Sequence, residues 1–165
     1  MRRKDKEITE QSDMLDILTR ADIVYLALDD GGAPYVLPMN FGFSREEDAL
    51  YLYFHCARVG KKLDLIRANP KAAFTACVAP QWVRGEGVIC NSSMAYESVC
   101  GTGEIEILPD DMSEHALSCV ISHYTHEKAV YGPNQLRATL PLRLRVDELT
   151  GKRSTPKTPS ASPRA

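Results

Sequence analysis

The sequence predicts a mainly β domain with helical decoration, built as an antiparallel barrel. Three observations point there: six runs rich in β-formers, helical periodicity between only some of them, and no βαβ alternation of the kind a parallel sheet needs. At 165 residues, 44% apolar and 25% charged, the chain can bury one core.

The elements follow in order. "SDMLDILTRAD" offers Ser12 or Asp13 as a cap and spaces Met14, Ile17 and Leu18 at helical intervals, predicting a short amphipathic helix. "IVYLALDDGGAPYVLPMNFGF" is two β-rich runs, 22–28 and 34–43, joined at the hairpin punctuation Asp29-Asp30-Gly31-Gly32. Ser44 to Asp48 is a polar turn, and "ALYLYFHC" is a third, aromatic strand. A helix is predicted over about 58–68, with Val59, Leu63 and Ile66 on one face and Pro70 behind its end.

"KAAFTACVA" is a fourth strand, followed by an irregular 80–92 that holds Trp82, the single tryptophan. "MAYESVCGTGEIEIL" is a long strand in which Gly101 and Gly103 predict a bulge or bend. From Asp110 to about Tyr124 a further amphipathic helix lines up Met112, Ala116, Leu117, Val120, Ile121 and Tyr124, and "ATLPLRLRVDEL" is the sixth strand. One domain is expected over 1–150. The Pro-, Ser- and Thr-rich 151–165 reads as a disordered basic tail with almost nothing to bury.

Charge and cysteine usage exclude several function classes. The tail carries four basic residues and no acid, so the chain's net charge of −2 leaves −6 on residues 1–150, a poor match for nucleic acid. No run approaches a membrane span and no signal peptide is recognisable, so a cytoplasmic protein is expected. Five scattered cysteines without C-x-x-C suggest neither a disulfide framework nor a zinc knuckle.

The stretch "HCARVGKKLDLIRANP" raises a question. It places Arg58, Lys61 and Lys62 at a helix start, where unpaired N–H groups already carry partial positive charge. Strand, short turn and basic helix start together form the electrostatic layout of a phosphate site, although no Walker loop and no G-x-G-x-x-G is present; a merely solvated basic turn is the alternative. His55 stands directly before that turn, where a bound anion would favour its protonation. A rival cluster, His115, Cys119, His123 and His126, falls at i, i+4, i+8 and i+11, a stripe that could serve zinc or a haem iron.

"YFHCARVGKKLDLIRANPKAAF" resembles the strand-helix-strand of the split-barrel flavin-binding proteins related to pyridoxamine 5′-phosphate oxidase. "PYVLPMNFGF", the histidine of "YFHCA", "MAYESVCGTGEIEIL" and "LRLRVDELTGKR" are similar to the 5-nitroimidazole-resistance branch, and the resemblance spans about residues 10–153. It implies a six-stranded antiparallel split β-barrel that forms a homodimer with FMN, rather than FAD or haem, at the subunit interface. By that resemblance the flavin phosphate lies at Ala57, Arg58, Lys61 and Lys62, and Leu37, Pro38, Met39 and Asn40 line the ring edge. By the same resemblance His55 stands near the ring and Tyr96, Glu97 and Ser98 come from the partner subunit; His55 is the candidate catalytic proton donor.

The R-x-H motif and the Arg-Leu-x-Pro ending that clamp pyridoxal in the oxidase are absent, so vitamin B6 oxidation is not expected. The expected function is an FMN-dependent oxidoreductase taking electrons from NAD(P)H to a small, nitroaromatic-type acceptor. Alternatives are a non-catalytic haem- or metal-binding module, or a flavin-binding regulator or storage protein.

Overall fold

Eight strands, rather than the expected six, form among residues 3–155, the part of the chain that the computed structural model describes. They are β1 (Glu7–Ile8), β2 (Val24–Leu28), β3 (Tyr35–Met39), β4 (Gly42–Glu46), β5 (Ala49–Cys56), β6 (Lys71–Val83), β7 (Ser93–Ile107) and β8 (Leu140–Ser154). The α-helices are α1 (Gln11–Arg20), α2 (Lys61–Ala68), α3 (Ser113–Tyr124) and α4 (Pro133–Ala138). Hydrogen bonding gives the sheet order β3-β2-β6-β7-β8-β5-β4, with β1 added against β8. The pairs β1/β8, β2/β3, β2/β6, β4/β5 and β5/β8 are antiparallel.

Two departures account for the higher count. β1 is too short for periodicity to reveal. The predicted arm 34–43 is two strands, because the chain breaks at Asn40-Phe41 and Phe41 turns fully inside. β4 then begins at Gly42, where a Cβ would collide with the Cys119 backbone, so the glycine lets α3 lie directly on the strand. β4 also runs into the predicted polar turn, which shrinks to Glu47-Asp48. Gly101 and Gly103 likewise serve close approach: a Cβ at Gly101 would enter the Phe74 ring, and one at Gly103 would strike the Arg145 carbonyl.

The strands outrun their predicted ends. β6 takes in Trp82, whose side chain is exposed, and β8 continues past residue 150 to Ser154. The remainder of the predicted tail, 156–165, lies outside the described residues. α4 was not legible in the sequence; Pro133 at its first position is its clearest marker.

The described residues divide into two compact units. One comprises 3–21, 76–99 and 150–155. In it, α1 buries Met14, Ile17 and Leu18, and β1 pairs Glu7 with Lys152 and Ile8 with Gly151. The second unit comprises 22–75 and 100–149. Here β5 buries Leu50, Leu52, Tyr53 and Phe54, α2 buries Leu63 and Ile66, and α3 packs Ala116 and Val120 with Tyr53 and Leu108. Each such aliphatic side chain removed from water contributes about 1.5–3 kcal/mol.

Candidate functional site

β5 passes to α2 through Ala57 to Gly60, and the second unit concentrates its cationic chemistry there. α2 begins at Lys61, not at residue 58: Gly60 adopts φ +136°, a conformation that favours glycine and interrupts any helix reaching back to Arg58. Lys61 and Lys62 therefore open the helix among its unpaired N–H groups, and Arg58 stands outside it.

The three cations are not equivalent. Arg58 donates to the Arg137 and Thr139 carbonyls at 2.5 and 3.3 Å and to Asp110 Oδ1 at 2.8 Å, tying the turn to the end of α4. Lys61 pairs with Asp30 and lies over the Tyr35 ring. Lys62 places its Nζ 3.6 Å from Met39 Sδ, and among the described residues no ion pair engages it.

At the end of β5, Phe54 is fully buried while His55 and Cys56 are half-buried. The Nδ1 atom of His55 is shut away from solvent without a hydrogen-bond partner. An orphaned buried polar atom costs about 1–3 kcal/mol, a cost that a bound hydrogen-bonding group would remove. Burial first, and the Lys62 charge second, hold the imidazole below its ordinary pKa of 6.5. At Cys56 burial pushes the thiol up and the same ammonium opposes it. Lys62 thus faces both residues at the strand's end.

Met39, buried at the end of β3, belongs to this neighbourhood through its sulfur. Leu37 is half-buried, and Pro38 and Asn40 are exposed. β3 is an edge of the sheet, which suits a residue without an N–H such as Pro38.

Tyr96, Glu97 and Ser98 lie in the other unit, near the start of β7. There Glu97 accepts from Arg153 Nε at 2.5 Å and Arg20 Nη2 at 2.7 Å with its side chain 18% exposed. These guanidiniums, Arg153 foremost, hold its carboxyl below the usual range. Lys152 sits 5.3 Å from the Tyr96 ring centre.

The histidine stripe resolves differently from its helical spacing. α3 ends at Tyr124, so His126 falls off it. His115 meets the Tyr53 hydroxyl at 3.4 Å and Cys119 Sγ at 3.7 Å, and His123 stacks on Phe41 with ring centres 4.4 Å apart. No group of three metal-ligating side chains occurs among the described residues. Sequence reasoning did not find the acidic partners Asp30 and Asp110. Asp30 carried a faint signal, as an acid in a hairpin turn; Asp110 carried none.

Among solved structures, a proposed 5-nitroimidazole antibiotic resistance protein from Bacteroides thetaiotaomicron is 28% identical. Its alignment covers 88% of this chain and 85% of that one, with a TM-score of 0.77. An FAD and heme binding protein from Mycobacterium smegmatis (24% identity, 95% and 77% coverage, TM-score 0.75) shares the fold. So does a flavocytochrome from Azotobacter vinelandii (18% identity, 99% and 75% coverage, TM-score 0.75). No curated protein matches in sequence. The pattern that defines the pyridoxamine 5′-phosphate oxidase family runs through this chain from residue 10 to 153, across every strand but β1 and the last residue of β8, and the chain belongs to that family.

Proposed function

We propose that the protein binds FMN with its phosphate at the β5–α2 passage and acts as an oxidoreductase, taking electrons from NAD(P)H to a small nitroaromatic-type acceptor. One observation carries the reading: an orphaned buried imidazole nitrogen and an ammonium outside any ion pair among the described residues converge where a helix opens. That combination fits a phosphate ester attached to a hydrogen-bonding body. Family membership supports a flavin, and the likeness to the Bacteroides thetaiotaomicron protein supports the acceptor class.

In this reading Lys62, Lys61 and the first N–H groups of α2 hold the phosphate. Arg58, bound to Asp110 and the α4 carbonyls, braces the turn. Edge strand β3 brings Leu37 to Asn40 alongside the ring. Bound flavin supplies the electron transfer; the protein supplies orientation and protons. His55, neutral at pH 7 while Lys62 faces it alone, takes up a proton more readily once a dianion offsets that ammonium, and it then donates to the acceptor.

A homodimer in which the partner subunit brings Tyr96 to Ser98 to the site is part of the proposal. It is supported by the exposed Trp82, Val88, Ile89 and Met94 of the same unit. The test is the visible spectrum of the purified protein with mass identification of what copurifies, followed by reductase assays. Flavin bands with FMN mass and NAD(P)H-dependent turnover are expected. A Soret band would replace the reading with a haem protein, and bound flavin without turnover would replace it with a carrier.

A further inference from the structure

The turn between β2 and β3 is fastened at two points of different kind. At its base Asp29 accepts the Gly31 N–H at 2.9 Å and the Asn69 side-chain amide at 3.0 Å, and Asn69 in turn accepts the Lys71 N–H at 3.1 Å. This anchor is made of short neutral donors around one carboxylate, which they hold below its usual pKa, the Gly31 amide most strongly. One residue farther, Asp30 reaches the opposite end of α2 and pairs with Lys61, whose ammonium also stands 5.3 Å from the Tyr35 ring centre. Beyond that contact Gly31 has φ +70°, and nothing lies within 4 Å of where a side chain on Gly31 or Gly32 would be.

The outer contact is the releasable one. Lys61 and Asp30 have side chains 54% and 30% exposed, so water screens their attraction and competes for both partners. Lys61 is also the first residue of α2, beside N–H groups that a ligand's anionic group would approach. Asp30 brings one negative charge to that ammonium; a phosphomonoester dianion brings nearly two, with three acceptor oxygens. A ligand lacking the phosphate has nothing with which to displace the carboxylate.

We propose that Asp30 is a built-in competitor for the phosphate at Lys61, so that the 30–33 turn is a strap which a phosphomonoester releases while Asp29 keeps its base in place. The inference rests on the flavin reading above and deepens it: Asp30 makes the site selective for the phosphorylated ligand.

The test uses the full chain stripped of cofactor, titrated with FMN and with riboflavin by flavin fluorescence. D30N should tighten FMN about three- to fivefold, the scale of an exposed ion pair, and leave riboflavin unchanged. D30S should repeat the result without the amide. In a K61A background D30N should do nothing. The strap is overturned if FMN binds but D30N leaves its affinity unchanged, if riboflavin gains equally, or if the gain survives in K61A. Failure of every variant to bind either flavin overturns the flavin reading and the strap together, a result distinct from the others.

Discussion

Strand β5 meets two histidines, and they are treated in opposite ways. His115 comes from α3 and packs edge-on to Tyr53, ring centres 5.2 Å apart, with the Tyr53 hydroxyl on one side and Cys119 on the other. Tyr53 in turn donates to Glu46 at 3.0 Å. His55, two residues farther along the strand, keeps a buried nitrogen with no partner and a lysine facing it. Around Tyr53 the hydroxyl, the imidazole, the Glu46 carboxylate and the Cys119 thiol bond to one another, although Ser113 Oγ at the start of α3 is buried without a partner. At the strand's end the same accounting is left open, which is the condition a ligand site requires.

The comparison can be broken most directly at the lysines. Replacing both Lys61 and Lys62 by Ala should weaken FMN retention about a hundredfold, from the loss of charge-assisted bonds to the phosphate. Lys62→Ala alone should account for most of it, because Lys61 is shared with Asp30. Equilibrium dialysis of the two variants reads this, and retention equal to the unaltered protein would remove the phosphate from the passage.

The α3 side predicts the converse. Tyr53→Phe strips Glu46 and His115 of a partner and should cost about 1–2 kcal/mol in urea unfolding while leaving FMN affinity unchanged. A matching loss of flavin would mean that Tyr53 and His55 belong to one site.

The smallest effect is one of pH. The unfolded chain protonates His55 at its ordinary 6.5, whereas the folded chain resists until lower pH. Between those points the unfolded state holds more protons, so stability falls as pH drops below 6.5 and is regained on returning above it. His55→Gln should flatten that part of the urea profile, and saturating FMN should flatten it in the unaltered protein. A profile that FMN leaves unchanged would detach His55 from the phosphate.

Much of the architecture was visible in local pattern. The apolar spacing of Leu63 and Ile66, the stop before Pro70, and the aromatic, β-rich run of β5 are set by near neighbours, and they formed as expected. The break of 34–43 into β3 and β4 was not visible, because it depends on Phe41 entering the core and on α3 reaching Gly42 from 77 residues later. The stripe on α3 was drawn correctly as far as Tyr124, but periodicity records which residues share a face and not what lies opposite it.

By itself the sequence determined most of the strands and three of the four α-helices, that a basic helix start follows a histidine at a strand's end, and that the chain resembles one family, since each of these is written in nearest-neighbour chemistry. Only the tertiary structure decided how the cations are used. Asp30 and Asp110, 31 and 52 residues away in the chain, take Lys61 and Arg58, and no described residue pairs with Lys62. Charge acts through space, and the fold alone determines which opposite charges lie within reach.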